Sequence, residues 1–353
     1  MINLSLADNI DDAFDALENQ DYETAFKIAK KEADDGNSFG QLILGSMYLD
    51  GLGRAKDVTQ AVAWYTLSAD AGNAAAQHVL GTIYDTGIGV PENNEEAVKW
   101  YSLAAQQDDS DAQYALGTMY YFGEGVAKNL TQALKWYSLA AQQGNPDAQW
   151  YAGYMYNNAI GVNKNVGEAM KWYSLSANQG NADAQNNLGL IYKDTAKSEE
   201  DLDKAFNLFK SAAEIGNVEA MVSLGQMYRN SSEYRSCEPF SESWHEDDRK
   251  GAFWLYSAAM KNHSLAQALL GMYYVMGDIE GKPNYVKAYI WSAIAAQSGD
   301  DEGVYWQKTA KEELNQEELI DAENQLVRCL DSNIVDCPAF FTKPHSIVLP
   351  DKC

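Results

Sequence analysis

The word Leu/Ala-Gly-x-x-Tyr recurs at Gly45, Gly81, Gly117, Gly153, Gly189 and Gly225 at intervals of 36 residues, and once more at Gly271 after an interval of 46. A second word, Ala-x-x-Trp-Tyr, runs in phase at Ala61/Trp64/Tyr65, Ala97/Trp100/Tyr101, Ala133/Trp136/Tyr137 and Ala169/Trp172/Tyr173. It decays to Ala205/Leu208/Phe209 and returns in part at Trp254 and at Ala288/Trp291. A third, Ala-Gln, opens units at Ala76, Ala112, Ala148, Ala184 and Ala266. Self-similarity at a fixed period of this length marks a repeat architecture, in which each unit buries its apolar face only against its neighbours.

Each unit reads as two helices. In the first, Ala112, Leu116, Met119 and Tyr120 recur at helical spacing and form one buried stripe. In the second, Ala97, Trp100, Tyr101 and Ala104 follow i, i+3, i+4, i+7 and do the same. Between them lies Tyr-x-x-Gly-x-Gly, as at Gly51/Gly53, Gly87/Gly89 and Gly123/Gly125, where glycine can take the positive φ that ends a helix. Gly-Asn at Gly36, Gly72, Gly144, Gly180 and Gly216 closes the second helix. The small residues at repeated positions let helix axes approach to about 8–10 Å. The expected product is all-α: a right-handed α-solenoid superhelix of about seven to eight helix-turn-helix units with capping helices at its ends.

Leu-Gly-Thr-Met-Tyr-Tyr-Phe-Gly-Glu-Gly-Val (116–126) followed by Ala-Leu-Lys-Trp-Tyr-Ser-Leu-Ala-Ala-Gln-Gln-Gly (133–144) resembles the SEL-one-like repeat, a relative of the tetratricopeptide repeat. The resemblance covers residues 37–299 and rests on several phased words. It implies an adaptor: members of the family act in envelope assembly, motor complexes and signalling, and some exported ones neutralise secreted antibacterial effectors such as phospholipases. The alternative that the resemblance leaves is a β-lactam- or cell-wall-binding or hydrolysing enzyme, as some cysteine-rich members are described; they share only the repeat with this chain, which lacks their disulfide in every unit.

Residues 1–36 are expected to be an N-terminal capping pair, with Ala25 one period before Ala61 but no Trp-Tyr signature. The turn at 193–202 loses its glycines. The extra residues fall in an irregular loop, 229–248, that carries Cys237, Pro239, Phe240, Trp244 and His245; it reads equally as a binding element or as a cover over the adjacent groove. Residues 300–353 form a C-terminal cap in which Asn315 and Glu318 suit a capping box for a helix to about Leu330. The segment 317–330 with a following cysteine is similar to the C-terminal cap of bacterial exported members of the family.

Cys237, Cys329, Cys337 and Cys353 all lie in the last third, which allows three pairings if all are oxidised. An even count gathered at a cap and an irregular loop suits an oxidising compartment. The disulfide expected is Cys329–Cys337, which would contribute roughly 2–3 kcal/mol if unstrained; the alternative is four free thiols in a cytosolic scaffold. Ser5-Leu6-Ala7 before Asp8 has the small-x-small form of a cleavage site without a charged n-region or full apolar h-region, so the start is expected to be truncated or late. A periplasmic or secreted location follows as the expectation, with the cytoplasm as the alternative.

In 353 residues, 51 Asp and Glu face 26 Lys and Arg, a formal charge of −25. That balance disfavours nucleic acid, whose phosphates are bound by clustered Lys and Arg, and disfavours an anionic membrane surface. No apolar run approaches the roughly 18–20 residues of a membrane span. The scattered His78, His245, His263 and His345, without a C-x-x-C, argue against a metal site. No nucleophile elbow, phosphate loop or paired catalytic carboxylate stands in a usable context, and the Gly-x-Gly words are helix turns. Neither catalysis nor a cofactor is expected.

The repeats can be compared with one another. Around the anchor glycine, positions −5, −1, +2 and +3 stay small or apolar, whereas −3, +1 and +4 change from unit to unit, on nearly the opposite side of the helix. The changing set is His78/Thr82/Asp85, Tyr114/Thr118/Tyr121, Trp150/Tyr154/Asn157 and Asn186/Leu190/Lys193. Stacking should line these along one surface, the concave one. Its aromatic stretch suits a protein-binding hot spot, and the candidate partner-binding residues are Tyr114, Thr118, Tyr121, Trp150, Tyr154, Asn157, Asn186 and Leu190. The expected partner is a basic protein or peptide, drawn by the acidic field. Trp100, Trp136 and Trp172, being periodic, are expected in the core.

Overall fold

The computed structural model describes residues 4–234, 244–280, 282–332 and 334. Among them there are eighteen α-helices and no strand. The helices fall into two compact units, Met1–Gln179 and Gly180–Cys353, and each unit is an all-α solenoid in which successive helices pack in chain order.

In the first unit, α1 (Leu4–Glu18) and α2 (Tyr22–Asp34) precede four pairs: α3/α4 (Ser38–Asp50, Val58–Asp70), α5/α6 (Ala74–Thr86, Asn94–Ala105), α7/α8 (Ser110–Phe122, Leu130–Gln142) and α9/α10 (Pro146–Asn157, Val166–Asn178). The second holds α11/α12 (Ala182–Thr195, Glu199–Glu214), α13/α14 (Val218–Tyr234, Trp244–Ala259), α15/α16 (Ser264–Met276, Tyr285–Gln297), then α17 (Asp301–Glu313) and α18 (Gln316–Asp331). Of the irregular loop, Cys237, Pro239 and Phe240 lie outside the described residues, as do the side chains of Trp244 and His245.

From α2 onward every helix of the first unit starts at an Asp or Asn cap. Asn73, Asp109 and Asn145 cap the first helices of their pairs by accepting from the amide three residues on. Asp57, Asn93, Asn129 and Asn165 cap the second helices in the same way. The two turn glycines have different work. Gly123 ends α7 in the left-handed region at φ 84°, while a Cβ on Gly125 would run into the backbone of Asn94 at the start of the preceding pair's second helix. Around 196–198 the turn is different, as the lost glycines predict: α11 ends on an extended Ala196 and Ser198 caps α12.

The anchor glycines are the sites of closest packing between the two helices of a pair. A Cβ on Gly45, Gly81, Gly117 or Gly153 would fall within 3 Å of the Tyr65, Tyr101, Tyr137 or Tyr173 ring, and Phe209 replaces the tyrosine opposite Gly189. The glutamines of the Ala76, Ala112 and Ala148 words are buried. Gln77, Gln113 and Gln149 donate from Nε2 to the carbonyls of Ala69, Ala105 and Ala141 at 3.0–3.1 Å. Their Oε1 atoms accept from Gln107, Gln143 and Gln179 at 2.8–2.9 Å. A ladder of paired amides therefore runs from Gln77 to Gln179; one period earlier the Oε1 of the buried Gln41 has no hydrogen-bond partner among the described residues, which is costly.

The tryptophans depart from the core expectation. Trp172 is buried at 6% exposure, but Trp100 and Trp136 are half-buried against the apolar clusters formed by α4 with α5 and by α6 with α7. They sit at the edge between layers, and Lys135 Nζ covers the Trp136 ring at 5.4 Å from its centroid.

At the C-terminal end, the Asn315 side chain accepts from the amides of Glu317 and Glu318 while Glu318 accepts from the Asn315 amide, completing the capping box of α18. Ala322, Leu326 and Cys329 of this helix join the core of the second unit. Cys329 is 1% exposed and disulfide-bonded; Cys237, Cys337 and Cys353 all lie outside the described residues.

Candidate functional site

Of the residues read as a binding face, six belong to the first unit, and α7 and α9 carry them all. The fixed positions of α7 behave as the spacing requires: Ala112, Leu116 and Met119 are at most 2% exposed, with Tyr120 half-buried. Tyr114, Thr118, Tyr121, Trp150, Tyr154 and Asn157 are all half-buried, so this face is a packed layer whose outer surface meets solvent.

Tyr114, Tyr121, Trp150 and Tyr154 are drawn together by two residues that the changing positions did not include. Tyr151 stacks on Tyr137 at 4.7 Å with 10° between the planes. Tyr114 lies 5.8 Å from the Tyr137 ring and 6.0 Å from that of Tyr151, and Tyr121 lies 5.9 Å from Tyr151. Trp150 meets Tyr151 edge-on at 4.7 Å and stacks on Tyr154 at 5.3 Å. Phe122, 53% exposed, extends the cluster outward from Tyr121. Thr118 Oγ1 is 3.1 Å from the Tyr137 hydroxyl and donates to the Tyr114 carbonyl at 3.2 Å. Among the described residues the Trp150 Nε1 is buried without a hydrogen-bond partner.

Tyr151 was legible as a departure: position −2 from the anchor glycine is Val79 and Ala115 in the two preceding units. Tyr137 was not, because its word is the regular one and only packing shows that the buried ring carries the exposed ones.

Burial, the neighbouring Tyr151 and Asp147 raise the Tyr114 pKa to about 12. Burial pushes the phenols of Tyr121, Tyr137 and Tyr151 up as well. All four therefore remain neutral hydroxyls at physiological pH. One pair earlier the same register is polar: the Tyr101 hydroxyl lies 3.3 Å from Thr82 Oγ1 and from Asp85 Oδ2, and burial raises the Asp85 pKa. The face changes from carboxylate and hydroxyl to aromatic within one period.

Asn186 and Leu190 belong to the second unit; Asn186 is 6% exposed and Leu190 is half-buried against that unit's core. Among the described residues no group of three or more His, Cys, Asp or Glu is placed to hold a metal ion, and no helix is long and apolar enough to cross a membrane.

Seven consecutive segments, 38–73, 74–109, 110–145, 146–181, 182–217, 218–263 and 264–300, match the family model described as Sel1 repeat. The chain is similar to the Sel1 repeat protein from Oxalobacter formigenes, with 31% identity over 71% of this chain and 96% of that one and a TM-score of 0.59. It is also similar to c5321, a protective antigen present in uropathogenic Escherichia coli strains and displaying an SLR fold. That match has 28% identity over 94% of this chain and 77% of the other, with a TM-score of 0.59. The immunity protein PA5088 from Pseudomonas aeruginosa is a remoter match, 18% identical over 65% of this chain and 82% of that one with a TM-score of 0.40, too slight to bear on function. No curated protein matches the chain.

Proposed function

This chain belongs to the Sel1 repeat family, whose members are protein-interaction scaffolds, and from that premise we propose that it is a non-catalytic scaffold holding a basic protein or peptide on the aromatic face of α7 and α9. The observation that carries this reading is the clustering of Tyr114, Tyr121, Tyr151, Trp150 and Tyr154 at a surface where the neighbouring units have no tyrosine or tryptophan at the corresponding positions. Rings already held by one another lose little freedom on binding and present large contact areas, which is how aromatic hot spots work. The first unit has 23 Asp and Glu against 10 Lys and Arg over residues 1–179, a field that speeds capture of a cationic partner and repels acidic ones.

The specific role we assign is inhibition of a secreted, basic antibacterial effector in the cell envelope, an immunity function. The disulfide at Cys329 supports an oxidising compartment. The test is affinity capture from the native host with the wild type and with Tyr121→Ala, each at low and high salt. Tyr121 is the variant of choice because Tyr114 touches the buried Tyr137 more closely, so truncating Tyr114 would also report on folding. One basic exported protein, released by salt and lost with Tyr121→Ala at unchanged melting temperature, is the expected result. A partner retained by Tyr121→Ala would remove this face from the interaction.

A further inference from the structure

The second helices of the first unit carry a ridge whose chemistry is opposite to that of the whole chain. Lys99, Lys135 and Lys171 stand one period apart on α6, α8 and α10, and Leu103, Leu139 and Leu175 follow each by four residues, on the same helix face. Leu103 and Leu175 are 44% and 42% exposed, and Leu67 continues the row on α4 at 50%. The Lys99 and Lys171 side chains are 69% and 58% exposed. Leu139, in the middle of the row, is half-buried, and isolated exposed apolar residues are commonplace on protein surfaces. A row kept in register with a lysine row is not isolated.

Charge decides what such a row can receive. Residues 1–124 hold 21 Asp and Glu against 6 Lys and Arg, whereas residues 125–179 hold Lys128, Lys135, Lys164 and Lys171 against Asp147 and Glu168. On α8 the ridge carries no carboxylate, since Thr131 and Gln142 flank the Lys135/Leu139 step; on α10 Gly167 and Asn178 flank Lys171/Leu175 with Glu168 three residues before Lys171, and on α6 Glu95 and Glu96 precede Lys99. Lys99 and Lys171 meet Glu96 and Glu168 at 2.8 and 3.6 Å; exposed pairs of this kind hold weakly and can exchange for a partner's carboxylates.

We propose that this lysine–leucine ridge is a second docking surface, and that its occupant is an acidic amphipathic helix of a partner protein. The geometry favours a helix. Each solenoid layer is one helix diameter thick, about 10–12 Å, and an α-helix advances about 10.5 Å per seven residues. A helix crossing the layers therefore offers one leucine-sized side chain and its flanking carboxylates to each successive step, the helix-in-groove mode of recognition. With the aromatic face selecting cations and this ridge selecting anions, the first unit would bridge two partners of opposite charge.

The test uses the full chain and a fluorescent synthetic helix of about 28 residues, with one leucine and two glutamates per heptad, beside a control peptide with lysines in place of the glutamates. Fluorescence anisotropy should show saturable binding of the acidic peptide, weakened at least about tenfold by K99E/K135E/K171E and also by L103S/L139S, with unaltered binding to Tyr121→Ala. The charge variant should melt within a few degrees of the wild type, since all three lysines are exposed and the Glu96 and Glu168 pairs that it replaces by like charges are weak. The proposal is overturned by equal affinity for both peptides, by equal affinity of wild type and charge variant, or by no saturable binding. It is also overturned by sedimentation showing self-association that the charge variant abolishes, which would make a second copy the occupant.

Discussion

The Tyr137 ring lies so close over Gly117 that a Cβ on the glycine would stand 2.8 Å from Cδ1 of the ring. Helix propensity alone would make alanine better than glycine here by roughly 0.5–1 kcal/mol. The contact outweighs it, because Tyr137 is fully buried and also stacks under Tyr151. Gly117→Ala should destabilise the protein by about 1–3 kcal/mol and perturb the aromatic face through Tyr137. Chemical denaturation measures the first effect and near-ultraviolet circular dichroism the second; an alanine variant as stable as the parent would contradict the packing described.

Ala159 occupies the left-handed region at φ 58°, where the three preceding units place Gly51, Gly87 and Gly123. A side chain there costs roughly 1 kcal/mol. Ala159→Gly should therefore stabilise the protein by about 0.5–1 kcal/mol despite the greater freedom of glycine in the unfolded chain. A raised denaturation midpoint at unchanged slope is the expected observation.

Gln149 satisfies two groups at once, the Ala141 carbonyl at 3.0 Å and the Gln179 amide at 2.8 Å. Gln149→Leu keeps the bulk but strands a buried carbonyl, which costs about 1–3 kcal/mol. Gln179→Ala, at the exposed end of the same rung, should cost under about 1 kcal/mol. Equal losses for the two would mean that the ladder is incidental.

Burial, with the Asp50 charge beside Tyr65 and partly offset by the Thr82 hydrogen bond at Tyr101, raises the pKa of both phenols from 10 to about 12. An acid with a raised folded-state pKa is held in its proton-bound form by folding. Its stabilising contribution is complete below pH 10 and is lost as pH rises through about 12. Tyrosinate absorbance should show a class of tyrosines titrating well above the ordinary value, and melting temperature should fall over the same interval. Titration of every tyrosine near pH 10 with the helices intact would refute the burial of these hydroxyls.

The period was enough to read the helix pairs, because an apolar stripe at helical spacing has no other way to be buried and each glycine word marks a turn that side chains resist. Asn315 and Glu318 announced their helix for the same local reason: a cap is satisfied within four residues. Contacts between layers were beyond such reading. That Gln113 spans from Ala105 to Gln143, or that Tyr151 lies flat on Tyr137, depends on which atoms of separate repeats meet. Asn186 shows the converse, a residue at a variable position that its unit buries.

Local chemistry and periodicity in the chain thus specified the family, the helix pairs and the positions free to vary, since these follow from residues within one or two turns and from their recurrence every 36 residues. Which of the variable residues share a surface, which tryptophans stay partly open, and which buried tyrosine supports the aromatic face were settled only by packing. A helix exposes or hides a residue according to the neighbour stacked against it, and that neighbour is supplied by another repeat.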